Sequence, residues 1–207
     1  MKTVKTSTKS DYENMVALDV CCSVQAGSNP FIAIKKWLIG EHSHVFIYLG
    51  VLDLCGMYVD WLAESNGRGV MMQPVSARND EMVDVYRFKV PEGESIHDYY
   101  HKIIEVLAKL LSNQNSYYDY LSIVRFVVPQ AILRKLHLEK FIPLAWQRDS
   151  FQICSEFVYE LFYQAGLGNI LPNSNPDTNA IPQIPLPSDF ANSPMLEYIG
   201  RFTVDGG

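Results

Sequence analysis

His42–Glu64 reads HSHVFIYLGVLDLCGMYVDWLAE, two apolar runs joined at a short polar break. Ser43–Gly50 is a nearly continuous apolar run, as in a strand buried on both faces. Met57–Glu64 comes closer to alternation, as in a half-buried strand. A tight loop at Asp53-Leu54-Cys55 turns the two into a hairpin. That loop sets His44 directly opposite Glu64, and paired residues share a face of a sheet. A carboxylate beside an imidazole fixes its tautomer and supports the imidazolium. A register slip of one residue would send the two to opposite faces. The hairpin therefore governs both the fold and the first candidate pair of site residues.

Working outward, Val16–Ser23 is a short β-prone run. Asn29 and Pro30 open a helix as N-cap and first helical residue, and Gly40 closes it. Gly69–Pro74 and Met82–Phe88 are further strands, so residues 43–88 read as a meander of about four strands. A helix after Ser95 aligns Ile96, Tyr100, Ile103, Ile104, Leu107 and Leu111 on one face. Tyr117–Val128 reads as a helix ended by Pro129, and Gln130–Lys140 as the next. Phe151–Gly166 is another, with Cys154, Phe157, Val158, Leu161, Phe162 and Ala165 on one stripe. Residues 172–194 form a proline-rich extended strap, and Leu196–Val204 returns as a last strand. The pattern predicts an α+β fold, one antiparallel sheet packed against helices. Residues 1–14 read as a polar tail and residues 15–207 as a single domain.

Composition removes several function classes. Of 207 residues, 48% are hydrophobic and 19% charged, which excludes wholesale disorder. Acids outnumber bases 23 to 17 with no Lys/Arg block, so nucleic acid is not an expected partner. The longest strongly apolar run, Val45–Leu52, is too short to span a bilayer. Met1–Ser10 lacks the apolar core of a secretory signal, so a cytoplasmic location is expected, with release by lysis left open. Four cysteines make no disulfide framework, and none stands in a C-x-x-C pair. His97 and His101 have a metal-compatible helical spacing but no matching third ligand. There is no Gly-rich phosphate loop, no dinucleotide fingerprint and no G-x-S-x-G. No cofactor or metal is expected.

Cys154 is the candidate nucleophile. The N-terminal end of a helix offers unpaired N–H groups and partial positive charge, which favour a thiolate and a substrate oxyanion. An N-cap at Asp149 or Ser150 would instead place Cys154 a turn inside the helix. A lone buried Cys is more often a small hydrophobe. A thiol nucleophile also needs a base, and His44, with His42 just before it, supplies the candidates.

These residues resemble a known family. Asn29–Gly50 (NPFIAIKKWLIGEHSHVFIYLG) is similar to the opening of the circularly permuted NlpC-like, papain-fold hydrolases, where the S-H-V strand bears a catalytic His. Leu62–Val70 (LAESNGRGV) resembles the next motif, an acid followed by a Gly-Val strand. Phe151–Gly166 (FQICSEFVYELFYQAG) resembles the nucleophile helix. Pro187-Ser188-Asp189-Phe190 with Ser193-Pro194 resembles the strap behind it. The likeness runs from about Leu18 to Phe202 and is nearest the YiiX-type branch, with lecithin:retinol acyltransferases more distant. Leu18-Asp19 departs from the Gly-Asp usual at the first strand. The order His, acid, Cys is that of the permuted branch, whereas papain runs Cys first.

The resemblance implies Cys154 as nucleophile, His44 as base and Glu64 as the residue that orients it. Tyr118, with Tyr117 and Tyr120 as alternatives, matches an active-site tyrosine, and Ser155 falls where substrate or an oxyanion would be held. The implied activity is a cysteine peptidase or amidase acting on a cell-wall peptide or γ-linked amide. A lipid-directed acyl hydrolase or acyltransferase, and a non-catalytic binding or structural module, are the alternatives. The apolar loop Phe141–Trp146 leans toward an apolar substrate.

Overall fold

The computed structural model describes residues 14–27, 29–112, 128–138, 153–167, 170–171 and 185–204. The hairpin forms, with a different turn from the one expected. Strand β2 (His42–Leu54) runs on through the expected loop to meet β3 (Met57–Asn66). The turn is the two-residue Cys55-Gly56, with φ of 57° and 86°. Positive φ at both central residues gives the type I′ geometry whose twist matches the strands, and Gly56 adopts it freely. Cys55 is exposed at this tip.

Near the turn Leu54 faces Met57 and Gly50 faces Trp61. A bulge then intervenes, and Tyr48 faces Leu62 and Ile47 faces Ala63. Leu49 is the extra residue, and Gly50 beside it has φ 91°. Extended by one residue, this register sets Glu64 opposite Phe46, not opposite His44 as expected. Phe46 is two residues from His44, so His44 and Glu64 still share a face. Without the bulge the turn would set Glu64 opposite Ile47, an odd step from His44, and the two would point apart.

The sheet holds six antiparallel strands in the order β4-β3-β2-β1-β5-β6. The others are β1 (Val20–Val24), β4 (Gly69–Pro74), β5 (Met82–Phe88) and β6 (Leu196–Thr203). The expected four-strand meander is corrected to three. β5 crosses to the far side of β1, pairing Cys21 with Val85. Val20, Cys21 and Cys22 are fully buried, so β1 is central and needs partners on both edges. It starts later than expected because Leu18 has φ 75° and the Asp19 carboxylate accepts the Val16 N–H at 2.9 Å, closing a turn. Leu18 thus occupies a left-handed position that suits glycine.

Helix α1 (Pro30–Ile39) is capped as expected: the Asn29 side chain accepts the Ile32 N–H at 2.8 Å, and Gly40 leaves at φ 90°. α2 (Ile96–Ser112) buries Tyr99, Ile103, Val106 and Leu107, whereas Ile96 and Leu111 are exposed. The buried stripe is rotated from the expected one. α3 (Val128–Lys135) takes Pro129 into its first turn, where a missing N–H costs nothing, so Pro129 opens this helix. It ends at Lys135, before His137 at φ 55°. α4 is Cys154–Gln164, and α5 is the short Pro187–Phe190. The expected helix 117–128 lies outside the described residues except for Val128. So do the loop 141–146, most of the proline strap and all of the polar tail except Asn14.

One face of the sheet packs Val45, Ile47, Leu49 and Ala63 against Phe157, Val158, Leu161 and Phe162 of α4 and Ile103 and Leu107 of α2. The other gathers Cys21, Phe46, Tyr48, Leu62, Val83, Val85 and Phe202.

Candidate functional site

The N-cap of α4 is Ile153, in extended conformation. Its N–H donates to the Glu156 carboxylate at 3.2 Å, half of a capping box. Ile153 is held by burial among Leu38 and Ile39 of α1, Ala131 of α3 and Leu186. Cys154 is therefore the first helical residue, not one turn inside. The helical ladder opens with the Phe157 N–H donating to the Ile153 carbonyl at 2.9 Å, so the N–H groups of Cys154 and Ser155 precede it. Cys154 itself is 5% exposed.

α4 packs on β2 and β3, and the strands part where its N-terminus meets them. Past Ile47 and Ala63 no described pair joins them. β2 stays with β1, His44 facing Ser23, while β3 stays with β4, Glu64 facing Met71. Across this split the His44 Nε2 lies 2.7 Å from Glu64 Oε2. The Cys154 thiol stands close enough to the His44 ring to raise its pKa. With Nε2 taken by Glu64, Nδ1 is the nitrogen left to meet sulfur.

Glu64 is fully buried. Its Oε1 accepts from Asn66 Nδ2 at 2.6 Å and Gln73 Nε2 at 2.8 Å. Its Oε2 takes the His44 ring and the Arg78 guanidinium. Arg78, on a 3-10 turn at Val75–Arg78, also pairs with Glu81 at 2.9 Å and lies over the Phe46 ring at 5.3 Å. Two donors on each oxygen leave the carboxylate saturated.

Burial acts to raise the Glu64 pKa, but the His44 hydrogen bond and the charges of His44 and Arg78 outweigh it, and the carboxyl stays below its usual range. Burial alone would depress His44. The Cys154 thiol and the Glu64 hydrogen bond reverse that and raise it to about 9, against a smaller downward push from Arg78. The imidazole thus favours its protonated form at neutral pH.

His42 does not compete for the thiol. Its Nε2 is 2.8 Å from Asp84 Oδ2, and Arg201 grips the same carboxylate with two bonds of 2.7 Å. Burial would raise Asp84, but Arg201 and His42 hold it down at about 2. The Ser155 hydroxyl is fully buried and donates to the Pro185 carbonyl at 2.5 Å, so its side chain ties down the segment before α5. Ser155 can serve an oxyanion only through its N–H. Tyr118, Tyr117 and Tyr120 lie outside the described residues. His97 and His101 stack with ring centroids 4.4 Å apart on exposed turns of α2.

Arg78, Asn66 and Gln73 escaped the sequence reading. Gln73 was within reach of it: two positions beyond Met71 on β4, it shares Glu64's side of the β3–β4 pair. Nothing in the spacing of Arg78 marked it.

The fold is shared with YiiX. That crystal structure, from Escherichia coli O157:H7 and described as a metalloprotein (DUF1105), aligns with a TM-score of 0.55 over 90% of this chain and 97% of its own, at 16% identity. No family model and no curated protein matches the sequence. In this chain the thiol, imidazole and carboxylate do not suit a metal. Both Glu64 oxygens and His44 Nε2 are already engaged, and among the described residues no group of three or more His, Cys, Asp or Glu side chains gathers to hold one.

Proposed function

We propose that the chain is a thiol hydrolase of permuted papain-like topology that cleaves amide or ester bonds through an acyl-enzyme thioester. One observation carries the reading: a buried carboxylate holds an imidazole by a 2.7 Å hydrogen bond, and the thiol on the first residue of a helix stands beside that ring. This arrangement orders the roles. Glu64 accepts the Nε2–H hydrogen bond and orients the ring, so Nδ1 faces sulfur. Proton transfer from sulfur to Nδ1 gives thiolate and imidazolium. The thiolate attacks the carbonyl carbon, and the electron pair of the C=O bond moves to oxygen. The Cys154 N–H, outside the helical ladder, meets that oxyanion; such a donor is worth about 10² to 10³ in rate. The His44 imidazolium then protonates the departing amine or alcohol. Water, deprotonated by His44, cleaves the thioester and restores the thiol.

The acyl donor follows from the family likeness: a cell-wall peptide or γ-linked amide, with lipid esters as the alternative. Cys154→Ala, kept folded, is expected to lose turnover of muropeptides or of a short acyl ester. Turnover retained by that variant overturns the assignment. Thiol alkylation checks activation without a known substrate. It belongs in a Cys55→Asn background, because Cys55 is exposed and Asn suits its positive φ. Cys154 should react with iodoacetamide faster than Cys21 and Cys22, whose thiols burial pushes well up. Equal rates would favour a binding module.

A further inference from the structure

Helix α1 uses only part of its apolar surface for packing. Leu38 and Ile39 pack with Ile153, Ala131 and Leu186. Phe31, Ile34 and Trp37, three apart in sequence, are 75%, 63% and 59% exposed. At about 100° per residue they fall within one arc of about 120°, which the partly buried Leu38 shares, with Lys35 beside the arc and Lys36 half-buried toward Ile39. α3 packs beside α1 and exposes Ile132 and Leu136 one turn apart.

The charge of these helices is reversed relative to the chain. Overall, 23 acids face 17 bases. Pro30–Ile39 and Val128–Lys135 carry Lys35, Lys36, Arg134 and Lys135 and no acid. Arg134 is paired with Asp189, and among the described residues no ion pair engages Lys35, Lys36 or Lys135. Aromatic and aliphatic side chains on one arc with a lysine beside it are the chemistry of a helix that lies in a lipid interface. The lysine stems run along the apolar layer while the ammonium groups reach lipid phosphates. A second copy of the chain would bring like charges together, so it is the poorer occupant.

We propose that α1, with α3 beside it, docks on an anionic lipid bilayer. Trp37, Ile34 and Phe31 enter the interface, and Lys35 and Lys36 meet the headgroups. Because Leu38 and Ile39 of α1 hold Ile153, docking seats the N-terminus of α4 close to the membrane. The surface stands whether or not Cys154 is reactive, since it involves no residue of the Cys154–His44–Glu64 series.

Flotation of the full chain with phosphatidylcholine vesicles, with and without phosphatidylglycerol, tests it at low salt. Binding is expected to the anionic vesicles and to weaken as salt rises. Ile34→Ser with Trp37→Ser should abolish it, and Lys35→Gln with Lys36→Gln should weaken it roughly 30-fold. Circular dichroism checks that both variants keep the fold. Failure of the unaltered chain to float, or undiminished binding by either variant, overturns the proposal. Self-association that Ile34→Ser with Trp37→Ser removes, without vesicle binding, gives the face to a second copy and overturns it equally.

Discussion

Replacing Glu64 by Gln changes almost no volume and removes one charge from a fully buried position. The four donors on its carboxylate determine the consequence. An amide has one acceptor oxygen, so its NH₂ must face two of those donors. Turned toward Oε1, it meets Asn66 and Gln73. Gln73 could flip its amide, but Asn66 uses its own oxygen to accept the Arg68 N–H at 2.9 Å. Turned toward Oε2, it meets His44 and Arg78. His44 can then accept at Nε2 only by moving its proton to Nδ1, the tautomer that cannot take a proton from sulfur.

Either way Arg78 loses its buried counter-charge and keeps only Glu81. Breaking a buried pair costs about 3 to 5 kcal/mol, and the surviving Glu81 contact sets the expectation near the lower end, about 3 kcal/mol. The pH dependence supplies the sign. Glu64 titrates below its ordinary value in the fold, so its contribution is present above that value and lost in acid. His44 titrates above its ordinary 6.5, at about 9, so its contribution is present below 6.5 and lost as pH rises through 9. The stability gap between the unaltered chain and Glu64→Gln should therefore be widest near pH 5 to 6 and shrink on both sides. Urea unfolding across pH measures it, and iodoacetamide rates in the Cys55→Asn background report the thiol. A gap below about 1 kcal/mol, flat with pH and with unchanged alkylation, would refute the reasoning.

Arg78→Gln removes a charge that pushes His44 downward, so the basic limb of the alkylation or turnover profile should move above about 9; an unmoved limb would mean that the Arg78 charge does not act on His44. Gly50→Val forces a β-branched residue to φ 91° and should cost about 1 to 3 kcal/mol while slowing Cys154 alkylation, with Gly50→Asn milder in both. Normal alkylation in a folded Gly50→Val chain would show that the bulge does not set the His44–Glu64 pairing.

Much of the fold was legible because local signals were strong. Asn29-Pro30 and Gly40 bound α1 as read, since a cap, a first-turn proline and a left-handed exit act within a few residues. Met82–Phe88 and Gly69–Pro74 formed where expected, yet their adjacency did not follow. Which strand lies beside which is fixed by burial on both faces of β1, a demand the segment 69–88 does not carry in itself. Ile153 escaped as N-cap because it has no side-chain acceptor. It ends the extended segment through the pocket formed by Leu38, Ile39, Ala131 and Leu186, and those contacts are distant in sequence. Arg78 escaped for the same reason: its partner Glu64 lies across two turns of chain.

The His44–Glu64 pairing was expected for a reason the structure replaces. A loop at Asp53-Leu54-Cys55 would have set them directly opposite. The Cys55-Gly56 turn alone would have set them on different faces. The extra residue at Leu49, made possible by Gly50 at positive φ, restores the shared face and leaves the pair diagonal. Direct opposition belongs to a continuous ladder, which would hold β2 and β3 together at that level. The ladder instead ends at Ile47 and Ala63, and beyond it the strands follow different partners. The bulge sets the face and the split makes the room, so a thiol on a separate helix reaches the imidazole while the carboxylate stays buried behind it. The proposed chemistry thus depends on one irregular residue as closely as on Cys154, His44 and Glu64.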